Sequence, residues 1–134
     1  MLSKLGQDEI RGRVANPKVL GAFDLIVARM EKLEPFQIKE GFNGPKKSLS
    51  FSTGRVSYYA FIANAEWLLW YFRRPGFNAG VFSWEELENE FPKLMSSNST
   101  DSRSAEGKLK ISNASDADHV MQFVEARMPR TAGS

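Results

Sequence analysis

The chain of 134 residues contains no cysteine and a single histidine. Without cysteine it can form no disulfide and no thiolate metal site, and one histidine cannot build a multi-histidine metal centre. No apolar run reaches the roughly 20 residues that span a membrane, and the opening residues MLSKLGQDEIRGR carry too many charges for a secretory signal. We therefore expect a cytoplasmic protein with no membrane segment, no bound metal and no cofactor.

Net charge is also small, at +2, and the composition of 42% hydrophobic and 25% charged residues is typical of one globular domain spanning residues 1–134. The charges are nevertheless unevenly placed. Within residues 41–80 a lone glutamate is outnumbered by the cations Lys46, Lys47, Arg55, Arg73 and Arg74. Residues 81–95 are acidic instead. Such neighbouring segments indicate either a charged patch or two elements that face each other.

The clearest helix is predicted over residues 17–33. Asn16 and Pro17 suit its start, because asparagine caps a helix and proline fits the first turn. Apolar side chains then follow the 3.6-residue period until Pro35 ends the helix. Residues 2–14 show only a weak helical pattern.

Two further helices are indicated in the second half of the chain. Ser83 with Glu86 three residues later forms a capping box, so we expect a helix to begin at Ser83. Asn113 or Ser115 caps a final helix that runs to residue 128.

Period-two alternation predicts strands at residues 49–51, 56–62, 67–73 and 108–111. A single helix through residues 56–72 is the alternative, since its alanines and leucines are good helix formers. Strands are preferred because β-branched and aromatic residues dominate the segment and no amphipathic helical stripe appears.

These elements predict an α+β fold: one domain with a small antiparallel sheet of three to four strands, packed with three to four helices. The segment 96–107 is rich in serine and has no large apolar residue, so we expect a mobile polar loop. The tail 131–134 is expected to be disordered.

Motifs for phosphate or metal chemistry are weak. The loop GFNGPKKS at 41–48 has two residues between its glycines and a proline after the second, whereas a phosphate-binding loop needs four residues and then lysine. Glu106 and Lys108 have the acidic-x-lysine spacing of metal-dependent nucleases, but no partner carboxylate on a buried strand is evident. A solvated loop that leads into a strand explains them equally well.

Candidate acid–base groups also have plain structural explanations. The positions of the last helix that face inward leave His119 near the solvent edge. Asp116 and Asp118 suit the positive end of that helix. The glutamates after Ser83 are explained by the preference for acidic residues in the first turn of a helix and by a solvent-exposed helix face. An enzyme is therefore not expected, and a metal-dependent nuclease-like activity is the weakest of the three functions considered.

The stretch RVSYYAFIANAEWLLWYFRRPGF, residues 55–77, combines all three tyrosines with three arginines. A sheet covered by helices on one side only would leave part of these rings exposed. Exposed rings beside cations suit single-stranded nucleic acid, because bases stack on rings and cations hold phosphates. The predicted interface consists of Lys46, Lys47, Arg55, Tyr59, Trp70, Phe72, Arg73 and Arg74.

Two other interpretations of this stretch remain open. Its rings can be ordinary core residues, covered on both faces by helices or by a second subunit. They can also form the interface to another protein, which would make this a regulatory or interaction domain. The leading hypothesis is a non-enzymatic binding module for nucleic acid, with protein binding as the alternative.

Overall fold

Residues 56–73 form the central hairpin of an antiparallel sheet, as their alternation predicts. The computed structural model describes residues 4–33, 36–40, 48–53, 56–96 and 106–127. Within these ranges the strands are β1 (Gln37–Glu40), β2 (Ser48–Thr53), β3 (Val56–Ala63), β4 (Leu68–Phe72), β5 (Met95–Ser96) and β6 (Gly107–Ile111).

The strands pair in the order β1-β2-β3-β4-β6-β5, and every neighbouring pair is antiparallel. The first four strands form a meander. Strand β6 then pairs with β4, so that Leu69 lies opposite Lys110 and Tyr71 opposite Lys108. The pairing of β3 with β4 excludes a continuous helix through residues 56–72.

Three of the described helices, α2, α4 and α5, begin where their capping residues predict. In the described ranges they are α1 (Lys4–Arg11), α2 (Pro17–Glu31), α3 (Arg74–Asn78), α4 (Trp84–Glu90) and α5 (Ala114–Ala126). Asn16 accepts a hydrogen bond from the backbone N–H of Lys18, and Ser83 accepts one from that of Glu86. Asn113 caps α5 by accepting from the backbone N–H of Asp116.

Helices α2 and α5 pack against each other over one face of the sheet, here called the inner face. The inner face carries the buried strand residues Leu49, Phe51, Tyr59, Phe61, Ala63, Leu68, Trp70, Phe72, Leu109 and Ile111. Arg29 of α2 ties the two helices together, because it donates to Asp118 at 2.6 Å and to Glu125 of α5 at 2.9 Å. The α+β fold predicted from the sequence is confirmed.

A β-bulge in β3 changes the face on which one tyrosine lies. Phe51 pairs with Tyr59 but Ser52 pairs with Ser57, which leaves Tyr58 without a partner in β2. Tyr58 therefore turns towards the inner core, where its ring centre lies 6.2 Å from that of Phe36. Strict alternation along the strand predicts that Tyr58 and Tyr59 lie on opposite faces of the sheet. The extra residue of the bulge explains why both lie on the inner face.

Several elements were not predicted from the sequence. The sheet contains more strands than the expected three to four, because β1 and β5 are short and carry little alternation. Helix α3, five residues long, was missed, and α1 ends at Arg11 rather than at the predicted residue 14. The predicted residues 2 and 3 of that helix lie outside the described residues. Most of the polar segment 96–107, namely 97–105, lies outside the described residues, as does the tail 131–134.

Candidate nucleic-acid interface

The three rings predicted to be exposed are buried instead. Tyr59, Trp70 and Phe72 each have a relative exposure of 0% because they point to the inner face, beneath α2 and α5. Their ring centres lie 5.6 Å apart for Tyr59 and Trp70, and 6.3 Å apart for Trp70 and Phe72. A ring enclosed in this way cannot stack on a base while the domain stays folded, so the placement of these three residues in the interface is corrected.

Of the five predicted cations, the structure describes only Arg73 and Arg74. Arg73 follows β4 and forms an ion pair with Glu106, the residue that precedes β6. Arg74 is the first residue of α3 and is exposed. The other three predicted cations, Lys46, Lys47 and Arg55, lie outside the described residues.

The pairing of Glu106 also bears on the nuclease-like pattern. Its carboxylate is engaged by the Arg73 guanidinium, which leaves it a poor ligand for a cation. Among the described residues, no group of three or more histidine, aspartate or glutamate side chains could hold a metal ion.

The opposite side of the sheet, here called the outer face, carries a different set of rings and cations. Trp67, Leu69 and Tyr71 alternate with the buried residues of β4, and Lys108 and Lys110 lie beside them on β6. The ammonium nitrogen of Lys110 is 4.4 Å from the centre of the Trp67 ring. That of Lys108 is 5.8 Å from the centre of the Tyr71 ring. Each lysine thus lies over an aromatic ring of the neighbouring strand.

These residues differ in how much surface they offer. Lys110 is exposed and Trp67 is partly exposed, whereas Tyr71 keeps only 8% of its surface in solvent. Burial raises the pKa of Tyr71 above that of a free phenol, with Glu106 raising it further. Its hydroxyl is therefore neutral near pH 7. Trp67 therefore supplies most of the exposed ring surface of this region.

Beside the rings, the centre of the outer face is apolar and closely packed. Ala60, Ile62, Leu69 and Tyr71 form a second cluster, which includes no helical side chain among the described residues. Ser48, Ser50 and Ser52 of β2 lie on the same face and are buried as well.

A cleft of about 350 Å³ opens beside the far end of β6. We call it the β6 cleft; it is lined by Phe91, Pro92, Lys93, Leu109, Lys110, Ser112, Asp116 and His119. The short strand β5 pairs only with Gly107 and Lys108, so the end of β6 beyond Lys108 borders this cleft. Lys110 takes part in both regions, since its ammonium lies over Trp67 while the residue lines the cleft.

The polar groups of the β6 cleft are held in fixed positions. Asp116 accepts a hydrogen bond from the backbone N–H of Ser112 at 3.0 Å. The Nε2 atom of His119 lies 2.8 Å from a carboxylate oxygen of Glu90, and its ring centre lies 4.7 Å from that of Phe91. The two contacts of His119 connect α5 to the end of α4.

No protein-family model, curated protein or solved structure matches this chain. Within the described ranges no helix combines the length and the apolar character that crossing a bilayer requires.

The sequence-based prediction selected rings from the side of β4 that the structure buries, and it did not include Trp67, Lys108 or Lys110. A signal was present, because Lys108 and Lys110 alternate with Leu109 and Ile111 and so mark one polar side of that strand. The pairing of β6 with β4 was not known from the sequence. That pairing determines which aromatic residues lie beside Lys108 and Lys110.

Proposed function

We propose that this protein is a non-enzymatic binding module that takes single-stranded nucleic acid on the outer face of its sheet. The observation that supports this most directly is the position of the Lys110 ammonium over the Trp67 ring, with Lys108 over Tyr71 beside it. Proteins that bind single strands combine aromatic surfaces for the bases with cations for the phosphates. Both components occur here on adjacent strands.

In this proposal Trp67 stacks on one base, while Lys108 and Lys110 contact the flanking phosphates. Trp67 and Tyr71 are four residues apart, which corresponds to about 13 Å along a strand, so the lysines beside them contact different phosphates. Stacking and phosphate contacts do not read base edges. The expected binding is therefore tolerant of sequence and sensitive to salt.

A protein partner is the second candidate, and the partly exposed apolar side chains of Trp67 and Leu69 on the outer face favour it. Protein interfaces have an apolar centre with a polar rim, and the lysines of β6 would then belong to the rim. This alternative predicts little salt dependence. A nuclease-like enzyme remains the weakest alternative, because Glu106 is paired with Arg73.

Fluorescence polarisation with single- and double-stranded oligonucleotides, at two salt concentrations, tests the proposal. Replacing Trp67 with alanine should cost about 1–3 kcal/mol of single-strand binding and leave the salt dependence unchanged. The double variant Lys108→Gln, Lys110→Gln should weaken binding to every sequence. It should also flatten the plot of log affinity against log salt by about 0.7 for each lost phosphate contact.

The matched control is the double variant Lys18→Gln, Lys32→Gln. It removes the same charge from exposed positions at the two ends of α2, which packs on the inner face. Equal losses in the two double variants would show that only net charge matters and would contradict the proposed surface. Absence of oligonucleotide binding at low salt would reject nucleic acid as the ligand.

A further inference from the structure

The β6 cleft has the dimensions of a site for one small group. Its volume of about 350 Å³ lies near the lower limit of the range for small-molecule pockets, roughly 300–1,000 Å³. Phe91 and Leu109 supply buried apolar walls, with relative exposures of 4% and 8%. A group with a flat apolar part and a polar end fits such walls better than a fully hydrated ion does.

Cations predominate among the side chains at the mouth of the cleft. Lys93 and Lys110 line it and are exposed, and Lys93 forms no ion pair with any other described residue. Asp116 is the opposing charge, but the Ser112 N–H and the positive end of α5 offset it. His119 is oriented by Glu90 and lies against Phe91, so its ring forms part of the wall.

The cleft is continuous with the proposed nucleic-acid surface, because Lys110 belongs to both. A strand that stacks on Trp67 and passes Lys110 therefore reaches the cleft with its next nucleotide. The volume of the cleft, about 350 Å³, suits a single terminal group of the strand. A terminal phosphomonoester carries a charge of about −1.5 to −2 at pH 7, whereas an internal phosphodiester carries a single charge.

We infer that the β6 cleft binds the terminal phosphomonoester of the strand that lies on Trp67, with Lys93 and Lys110 contacting the phosphate. The inference rests on the proposed function and adds a preference for phosphorylated ends. Lys93 has no part in the proposed stacking surface, so the two ideas can be tested separately.

The test compares a short oligothymidylate carrying a 5′-phosphate, a 3′-phosphate or neither, by polarisation at one salt concentration. We expect one of the phosphorylated forms to bind about fivefold more tightly than the unphosphorylated form, the upper range for an exposed ion pair. Lys93→Gln should abolish this preference and leave the unphosphorylated form unaffected. Lys93→Arg should retain it.

Free thymidine monophosphate distinguishes a site for strand ends from a general anion effect. It should compete with the phosphorylated oligonucleotide and leave binding of the unphosphorylated one unchanged. Equal affinity for the three oligonucleotides would overturn the inference. So would an equal effect of Lys93→Gln on the binding of all three. Either result would leave the proposed function standing. Failure of all three to bind would overturn both.

Discussion

The Lys110 ammonium lies 4.4 Å from the centre of the Trp67 ring and so connects β6 to the residue that precedes β4. This cation–π contact is partly exposed, and contacts of that kind contribute about 0.5–1 kcal/mol. The contact thus adds to stability, and it places a cation beside the ring on which we propose that a base stacks.

Replacing Lys110 with methionine should lower the free energy of unfolding by about 0.5–1 kcal/mol, because the ring loses its cation. Lys110→Arg should retain the stability, since a guanidinium also stacks on an indole. Urea unfolding followed by tryptophan fluorescence measures both. Lys108→Met is the internal comparison: its ammonium is farther from its ring, at 5.8 Å, and we expect a smaller effect.

The Tyr59 hydroxyl and the Trp70 indole nitrogen are buried without a hydrogen-bond partner among the described residues. Burial raises the pKa of Tyr59, so its phenol is neutral. An unpaired buried polar group costs about 1–3 kcal/mol. We therefore expect Tyr59→Phe to leave the thermal midpoint unchanged or to raise it by a few degrees.

Tyr59→Leu provides the control for this prediction. It removes the hydroxyl as well, but it also leaves a cavity among Phe36, Trp70 and Phe82, whose rings surround Tyr59. We expect a loss of about 2–4 kcal/mol. A marked loss in Tyr59→Phe would show that the hydroxyl has a partner in solution.

Local sequence signals predicted most of the fold. Asn16, Ser83 and Asn113 each cap a helix as expected, because capping depends on residues within one turn. The aromatic hairpin 56–73 was also found, since alternation and β-propensity agree there. The short strand β1 and the five-residue helix α3 carry too few residues for a periodic pattern to emerge.

The proposed interface could not be located in the same way, because it depends on contacts between distant segments. Alternation in β4 shows two sides, but both are aromatic, so residue type alone does not say which one the helices cover. In the structure the helices cover the side that carries Leu68, Trp70 and Phe72. The register with β6 places Lys108 opposite Tyr71 and Lys110 opposite Leu69 on the other side. Single-sequence patterns do not contain that register.

Two glycines make a matched pair for testing the packing of the helical layer. A methyl group at Gly76 would overlap the buried ring of Phe82, whereas one at Gly21 would meet no atom within 4 Å. Gly21 lies in the interior of α2, where alanine is favoured by about 0.5–1 kcal/mol. We expect Gly21→Ala to be stabilising and Gly76→Ala to be destabilising by about 1–3 kcal/mol.

Chemical denaturation of the two alanine variants, compared with the parent, measures both effects. The substitution is the same in each case, so differences in the unfolded chain largely cancel. Equal stability of the two variants would mean that Phe82 can move away from α3 without cost, which its closely packed neighbours Phe72 and Phe77 argue against.

Acid should weaken the domain through the carboxylates that pair with arginines. The hydrogen bond from Arg29 lowers the pKa of Asp118, and that from Arg127 lowers the pKa of Glu86. In the unfolded chain these carboxylates have their ordinary pKa values, 3.8 for Asp118 and 4.5 for Glu86. Near those pH values the unfolded chain binds protons while the carboxylates of the folded chain remain ionised. Folding stability from these pairs is thus complete above those values and is lost as the pH falls through the lower, folded pKa.

These two pairs should therefore leave the urea midpoint nearly constant from about pH 8 to about pH 6 and lower it below about pH 5. Asp118→Asn should lower the midpoint at neutral pH and reduce the further loss in acid, because its proton-linked contribution is gone. Glu88→Gln, at an exposed position on α4, is the control and should keep the parent's acid response. If Asp118→Asn instead loses as much stability between neutral and acid pH as the parent, the Arg29 pair does not contribute to the acid sensitivity.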